Sequence, residues 1–127
     1  MTATLPALAT IAIGENHTDL ALTLATLIDL QADLRCIGHS PTGSGLLAMA
    51  EREPADAYLV DLALDDGSSI PMIHTLRSRQ PECVIIAFTG LGNPSLAEQC
   101  ERAGCDATLE KNGSVTQLLE TLRGLLG

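Results

Sequence analysis

This chain switches five times between two hydrophobic periods, and that alternation leaves few folds open to it. Short apolar runs of strand length, each closed by a polar or glycine-containing cluster, are followed by stretches whose apolar residues recur every three to four positions. The first run is Thr10-Ile11-Ala12-Ile13-Gly14, which ends abruptly in Glu15-Asn16-His17. Leu20, Leu24, Leu27 and Ile28 then mark one face of a helix, with Thr18 or Asp19 near its capped start. Leu34-Arg35-Cys36-Ile37 alternates polar and apolar as an edge strand does, and a loop over 38–43 leads to a helix over about 44–52 that Pro54 stops.

The third run, Ala57-Tyr58-Leu59-Val60-Asp61-Leu62, is apolar except for one acid near its carboxyl end. Asp65-Asp66-Gly67 reads as a turn, and Ile70, Ile73 and Leu76 as the buried stripe of a helix ending at Arg79. Cys83-Val84-Ile85-Ile86-Ala87-Phe88 is continuously apolar, as a strand covered on both faces must be, and Thr89-Gly90 close it. The loop Leu91-Gly92-Asn93-Pro94 leads to a helix over about 95–103, stopped at Gly104. Ala107-Thr108-Leu109 is a last short strand before Glu110-Lys111-Asn112-Gly113, and Val115, Leu118, Leu119 and Leu122 mark the final helix. Five β-α units joined by helix-length crossovers predict an α/β fold: one doubly wound domain, a parallel sheet with helices on both faces. The 127 residues suit a single core, taken here as 10–127 behind an N-terminal extension over 1–9.

A formal net charge of -9 argues against nucleic-acid phosphates and anionic membranes as direct partners. The apolar runs are too short to cross a bilayer, and Met1-Thr2-Ala3-Thr4-Leu5-Pro6 lacks the basic segment and apolar core of a secretory signal, so a cytoplasmic location is expected. Cys36, Cys83, Cys100 and Cys105 show no C-x-x-C spacing and are read as reduced thiols, with Cys36 and Cys83 on strands in or near the core. His17, His39 and His74 have no mutual spacing that builds a metal site and receive no role. Thr42-Gly43-Ser44-Gly45 follows an edge strand and lacks the G-x-x-x-x-G-K pattern, so it is read as a loop into the second helix rather than a phosphate cradle. An aromatic content of 2% leaves almost nothing to stack on a flavin.

In open parallel sheets ligands bind outside the carboxyl ends of the strands, where the strand order reverses. The polar residues there are Glu15 and Asn16, Asp61, Thr89 and Lys111, the chain's single lysine among seven basic residues. Together they form an oxygen-rich set able to hold a hard cation such as Mg²⁺, beside a hydroxyl and one ammonium. Such a set suits phosphoryl transfer, in which positioning and charge stabilisation do most of the work and a carboxylate can be the attacking oxygen. Glu15 could also complement a helix dipole, and Asn16 has two readings, a helix N-cap or a weak metal ligand.

With these residues in this order, the chain resembles the receiver domains of two-component response regulators, CheY-like proteins, from about Thr10 to Leu125. The resemblance implies a flavodoxin-like sheet of order 2-1-3-4-5. It implies that Asp61 accepts a phosphoryl group from a histidine kinase, and that Glu15, Asn16, Asp61 and the main-chain carbonyl of Ala63 hold Mg²⁺. Thr89 would bond one phosphoryl oxygen and Lys111 another. Such a domain is a stoichiometric phosphoacceptor that assists its own phosphorylation and dephosphorylation, not a turnover enzyme. A downstream protein or an attached output domain would read the surface of the fourth helix, fifth strand and fifth helix, through which a homodimer could also form. Three positions depart from the family pattern. Asn16 stands where a second acid is usual, which lowers the formal charge facing the metal from -3 to -2 and should weaken Mg²⁺ binding. Asp65 replaces a common proline, and Thr108 replaces the aromatic residue that rotates with phosphorylation. Asn16 and Thr108 motivate an alternative of a different class, a pseudo-receiver acting as a phosphorylation-independent interaction module.

Overall fold

The computed structural model describes residues 8–90 and 94–127, the side chain of Ser68 excepted. The strands are β1 (Ala9–Gly14), β2 (Leu34–Ser40), β3 (Ala57–Asp61), β4 (Ala63–Leu64), β5 (Gly67–Ser68), β6 (Val84–Thr89) and β7 (Ala107–Glu110). The helices are α1 (Thr18–Asp29), α2 (Gly43–Arg52), α3 (Ile70–Arg79), α4 (Pro94–Ala103) and α5 (Val115–Leu126). Five strands form one parallel sheet in the order β2-β1-β3-β6-β7, while β4 and β5 make a separate two-stranded hairpin. The expected order 2-1-3-4-5 is therefore present once the hairpin is set aside. Among the described residues no helix is long and apolar enough to cross a membrane.

Alternation along the strands divides the core in two, because successive side chains of a strand point to opposite faces. Ala12, Tyr58, Val60, Ile85 and Ala87 pack with Leu46 and Ala50 of α2, Ile73 and Leu76 of α3 and Cys100 of α4. Ile11, Ile13, Ala57, Leu59 and Ile86 face the other way, against Ile28 of α1 and Leu118 and Leu122 of α5. Most of these side chains lose all contact with water, and each buried Val, Leu or Ile contributes roughly 1.5–3 kcal/mol. Tyr58 keeps its polar end satisfied inside the core: its hydroxyl donates to Gln80 Oε1 (2.8 Å) and accepts from the Ala55 N–H (2.9 Å).

Several local expectations are corrected. β2 continues to Ser40, where a loop was expected, because the register slips between Ile11 and Ala12 and passes over Ile37. Gly38, at φ 153°, permits the slip, and a Cβ there would lie 2.7 Å from Met49 Cε. Thr18 and Asp19 open α1 as expected, but its start carries no side-chain cap bond, and His17 occupies the N-cap. Cys36 lies on β2 as expected, but Cys83 precedes β6, and both are only partly buried. The turn at Asp65-Asp66 joins the antiparallel β4 and β5, and Gly67, at φ 110°, has the positive φ that glycine adopts without strain. Of the proposed extension over 1–9, residues 1–7 lie outside the described residues, as do Leu91, Gly92 and Asn93 of the loop before α4.

Candidate functional site

The chain runs from β1 outward to β2, then returns across β1 to β3, so the strand order reverses between β1 and β3. Helices leave the two strands on opposite faces there, which opens a crevice at their carboxyl ends. Asp61 is the last residue of β3, and Glu15 follows β1 directly. Both are 4% exposed, and Thr89, at the end of β6, is 5% exposed. Main-chain bonds extend the sheet through this edge: Glu15 N donates to Ser40 O (2.9 Å), Leu62 N to Phe88 O (3.1 Å) and Lys111 N to Thr89 O (2.8 Å). The last of these holds Lys111 beside the ends of β3 and β6.

Lys111 Nζ lies 2.6 Å from Asp61 Oδ2 and 3.3 Å from Glu15 Oε1. One ammonium thus serves two buried carboxylates. Burial acts to lower the Lys111 pKa, but the hydrogen bond and charge of Asp61, aided by Glu15, outweigh it and raise the pKa above the ordinary lysine value. The other Asp61 oxygen, Oδ1, accepts from the Ala63 N–H at 3.0 Å. Of the residues expected here, Glu15, Asp61 and Lys111 are in direct contact, and Thr89 joins them through its carbonyl.

Asn16 caps nothing: its Oδ1 is buried and has no hydrogen-bond partner, which removes the N-cap reading. An orphaned buried oxygen next to Glu15 in sequence, and two carboxylates whose oxygens lie within 4.8 Å of each other, fit a hard divalent cation. The same cluster includes His17, for which the sequence reading had no role. Its Nδ1 is 2.9 Å from Glu15 Oε1, and its main-chain N–H donates to the same oxygen at 3.2 Å. Its place two residues after Glu15, in one tight turn, was the available signal.

Two more residues were missed. Ser69 is 1% exposed, and its hydroxyl donates to the main-chain carbonyl of Asp61 at 2.6 Å, fixing the backbone that carries the carboxylate. Asp66 accepts from Gly43 N (2.8 Å) and Ser44 N (3.1 Å), and Thr42 Oγ1 accepts from Gly45 N (3.0 Å). The amides of Thr42-Gly43-Ser44-Gly45 are therefore occupied from within the chain, in keeping with a loop rather than a phosphate cradle. The N–H groups of Gly43 and Ser44 hold the Asp66 carboxyl below the usual carboxylate range. Thr108 is half-buried on β7, with its hydroxyl oxygen buried and without a hydrogen-bond partner.

A five-stranded doubly wound sheet with an acid-lysine crevice at its switch point defines a class of signalling domain. The sequence profile of the response regulator receiver domain matches residues 11–123, and the chain belongs to that family. It is 31% identical over 75 residues to the photosynthetic apparatus regulatory protein RegA of Cereibacter sphaeroides, covering 59% of this chain and 41% of that protein. It is 27% identical over 112 residues to the transcriptional regulatory protein YvfU of Bacillus subtilis, covering 87% of this chain and 56% of that one. The chain thus spans about half the length of these curated relatives. Among solved structures it resembles a CheY-like receiver domain protein from Methanospirillum hungatei, with TM-score 0.87, 22% identity and 94% of each chain covered. It also resembles a DNA-binding response regulator of the LuxR family from Staphylococcus aureus, with TM-score 0.87, 19% identity, 94% of this chain and 100% of that one.

Proposed function

We propose that this receiver works in the cytoplasm as a stoichiometric switch, accepting a phosphoryl group on Asp61 from the phosphohistidine of a histidine kinase. The observation that carries the reading is the contact of Lys111 Nζ with Asp61 Oδ2 at 2.6 Å, with Glu15 on the same ammonium. An oxygen of Asp61 attacks phosphorus as the donor's N–P bond breaks, leaving an acyl phosphate and a free imidazole. Lys111 then exchanges part of its contact with Asp61 for a phosphoryl oxygen, and the Thr89 hydroxyl donates to another. Ser69 and the Ala63 N–H hold Asp61 in place during the transfer. Glu15, Asn16, Asp61 and the Ala63 carbonyl would hold Mg²⁺, which when bound neutralises charge on the phosphoryl oxygens. Release of the phosphoryl group to water resets the domain, and the same residues assist that step.

A downstream protein or an attached output domain reads the resulting change on the face of α4, β7 and α5, the face through which a homodimer also forms. A net charge of -9 assigns any DNA contact to such a partner rather than to this domain. The test is to incubate the protein with Mg²⁺ and acetyl phosphate and weigh it intact. Addition of one phosphoryl group, lost in Asp61→Asn, supports the reading. No addition under saturating conditions, together with no transfer from a cognate kinase, sinks it and leaves an interaction module that works without phosphorylation.

A further inference from the structure

The sequence around the end of α4 reads Cys100-Glu101-Arg102-Ala103-Gly104-Cys105, and its chemistry lies in how the helix stops. Gly104 adopts φ 122°, Gly104 N donates to Glu101 O (3.1 Å) and Cys105 N to Cys100 O (3.0 Å). This pair of bonds is the Schellman ending, which brings the side chains at its first and last positions into contact, normally as an apolar pair. Here both positions are cysteine. Their sulfurs lie 2.7 Å apart, while a disulfide bond spans about 2.05 Å. Helix termination has thus already supplied the approach that a disulfide requires, without any rearrangement of distant segments.

We infer that Cys100 and Cys105 form a reversible redox pair, closing to an intrachain disulfide that staples the end of α4 to the segment entering β7. The pair sits at the amino edge of the sheet, the opposite edge from Asp61, and shares no residue with the phosphoryl site. Cys100 is 0% exposed and Cys105 9%, which makes the Cys105 side the approach for a small oxidant. The close approach of the sulfurs, together with burial, raises the pKa of Cys105. Thr108, on β7 at the position where the family carries its rotating aromatic residue, lies beside Cys100 of α4.

The oxidant is a hydroperoxide. One sulfur attacks the peroxide and its O–O bond breaks, giving a sulfenic acid and, with hydrogen peroxide, one water once the proton is counted. The second sulfur then attacks the first, forming the S–S bond and releasing another water. Two thiols and one hydrogen peroxide thus become one disulfide and two waters, and a reducing thiol reverses the oxidation.

The test uses the full chain carrying Cys36→Ser and Cys83→Ser, with the unsubstituted chain alongside. After hydrogen peroxide treatment and an acid quench, the intact mass should fall by two hydrogens and recover with dithiothreitol. Trypsin cuts after Arg79, Arg102 and Lys111, which separates the two cysteines. A non-reduced digest of the Cys36→Ser, Cys83→Ser chain should therefore contain the peptides over 80–102 and 103–111 joined through sulfur, and fragmentation of the same joined peptides from the unsubstituted chain should place the bond on Cys100 and not on Cys83, which shares the peptide over 80–102. Cys105→Ser should abolish the join. An unchanged mass, oxygen addition with no cross-link, or a link between chains or to Cys36 or Cys83 in the unsubstituted protein would each overturn the inference.

Discussion

Replacing Lys111 with methionine keeps the aliphatic stem and removes the charge that Glu15 and Asp61 share. At an effective dielectric of about 20, the contacts at 2.6 and 3.3 Å are each worth roughly 5–6 kcal/mol before desolvation is subtracted. The two carboxylates, with oxygens within 4.8 Å, would then repel each other by at least about 3.5 kcal/mol on the same scale. Breaking a buried pair typically costs about 3–5 kcal/mol, and the lysine side chain is 25% exposed, so a net loss of about 2–3 kcal/mol is expected near neutral pH. That corresponds to roughly a 30- to 150-fold change in the unfolding constant. Because the Lys111 pKa is raised, its contribution in the native protein is fully present below the ordinary value of 10.5 and is lost only as the pH rises through the folded-state value. Removing one of the two carboxylates relieves the variant: in Lys111→Met combined with Glu15→Gln the repulsion disappears. Urea unfolding at about pH 8 should therefore show the deficit of Lys111→Met, measured against a chain with the same residue at position 15, shrinking by at least half when Glu15→Gln is present. A deficit that is equal with Glu15 and with Gln at that position, or smaller than about 0.5 kcal/mol in the single variant, would refute the view that this lysine neutralises a carboxylate pair.

Other outcomes follow from single contacts. Asn16→Asp adds a carboxylate beside Glu15 and should tighten Mg²⁺ binding about tenfold in a titration; unchanged affinity would mean that position 16 does not face the metal. Asp66→Asn removes the charge from the N-terminus of α2. Since the Asp66 pKa is lowered from 3.8, the native protein holds this stabilisation above that value and loses it as the pH falls through the folded-state value, so the variant's melting temperature should depend less on pH in that acid range. Gly45→Ala and Gly124→Ala should have opposite signs although both lie in helices. A Cβ at 45 would collide with Ser40 Oγ and lie 2.8 Å from the cap oxygen Thr42 Oγ1, costing about 1–3 kcal/mol. At 124 nothing lies within 4 Å, and thermal melts should show a gain of about 0.4–1 kcal/mol.

The five β-α units could be read along the chain because each is a local pattern, period two or period 3.6, bounded by its own stop residues. Candidate residues such as Asp61 and Lys111 were legible for the same reason, as polar groups at the ends of apolar runs. The β4–β5 hairpin was not, since each of its strands has two residues and no period to detect. The continuation of β2 depends on a register slip against β1, which belongs to the pair of strands and not to either alone. His17, Ser69 and Asp66 were missed because their partners are set by how loops fold back over the sheet edge.

Cys100 and Cys105 show the boundary well. Their five-residue separation and the intervening glycine are visible in the chain, but contact follows only once α4 ends in a left-handed turn. By itself the sequence determined the fold class, the number of units and which residues stand at the strand ends, because hydrophobic periodicity decides which face each segment buries. Tertiary structure alone decided that Lys111, 50 residues from Asp61 and 96 from Glu15, would touch both. That contact depends on strand order and on the register of parallel strands, which are set by packing two helix layers against one twisted sheet and by main-chain bonds that no single segment carries.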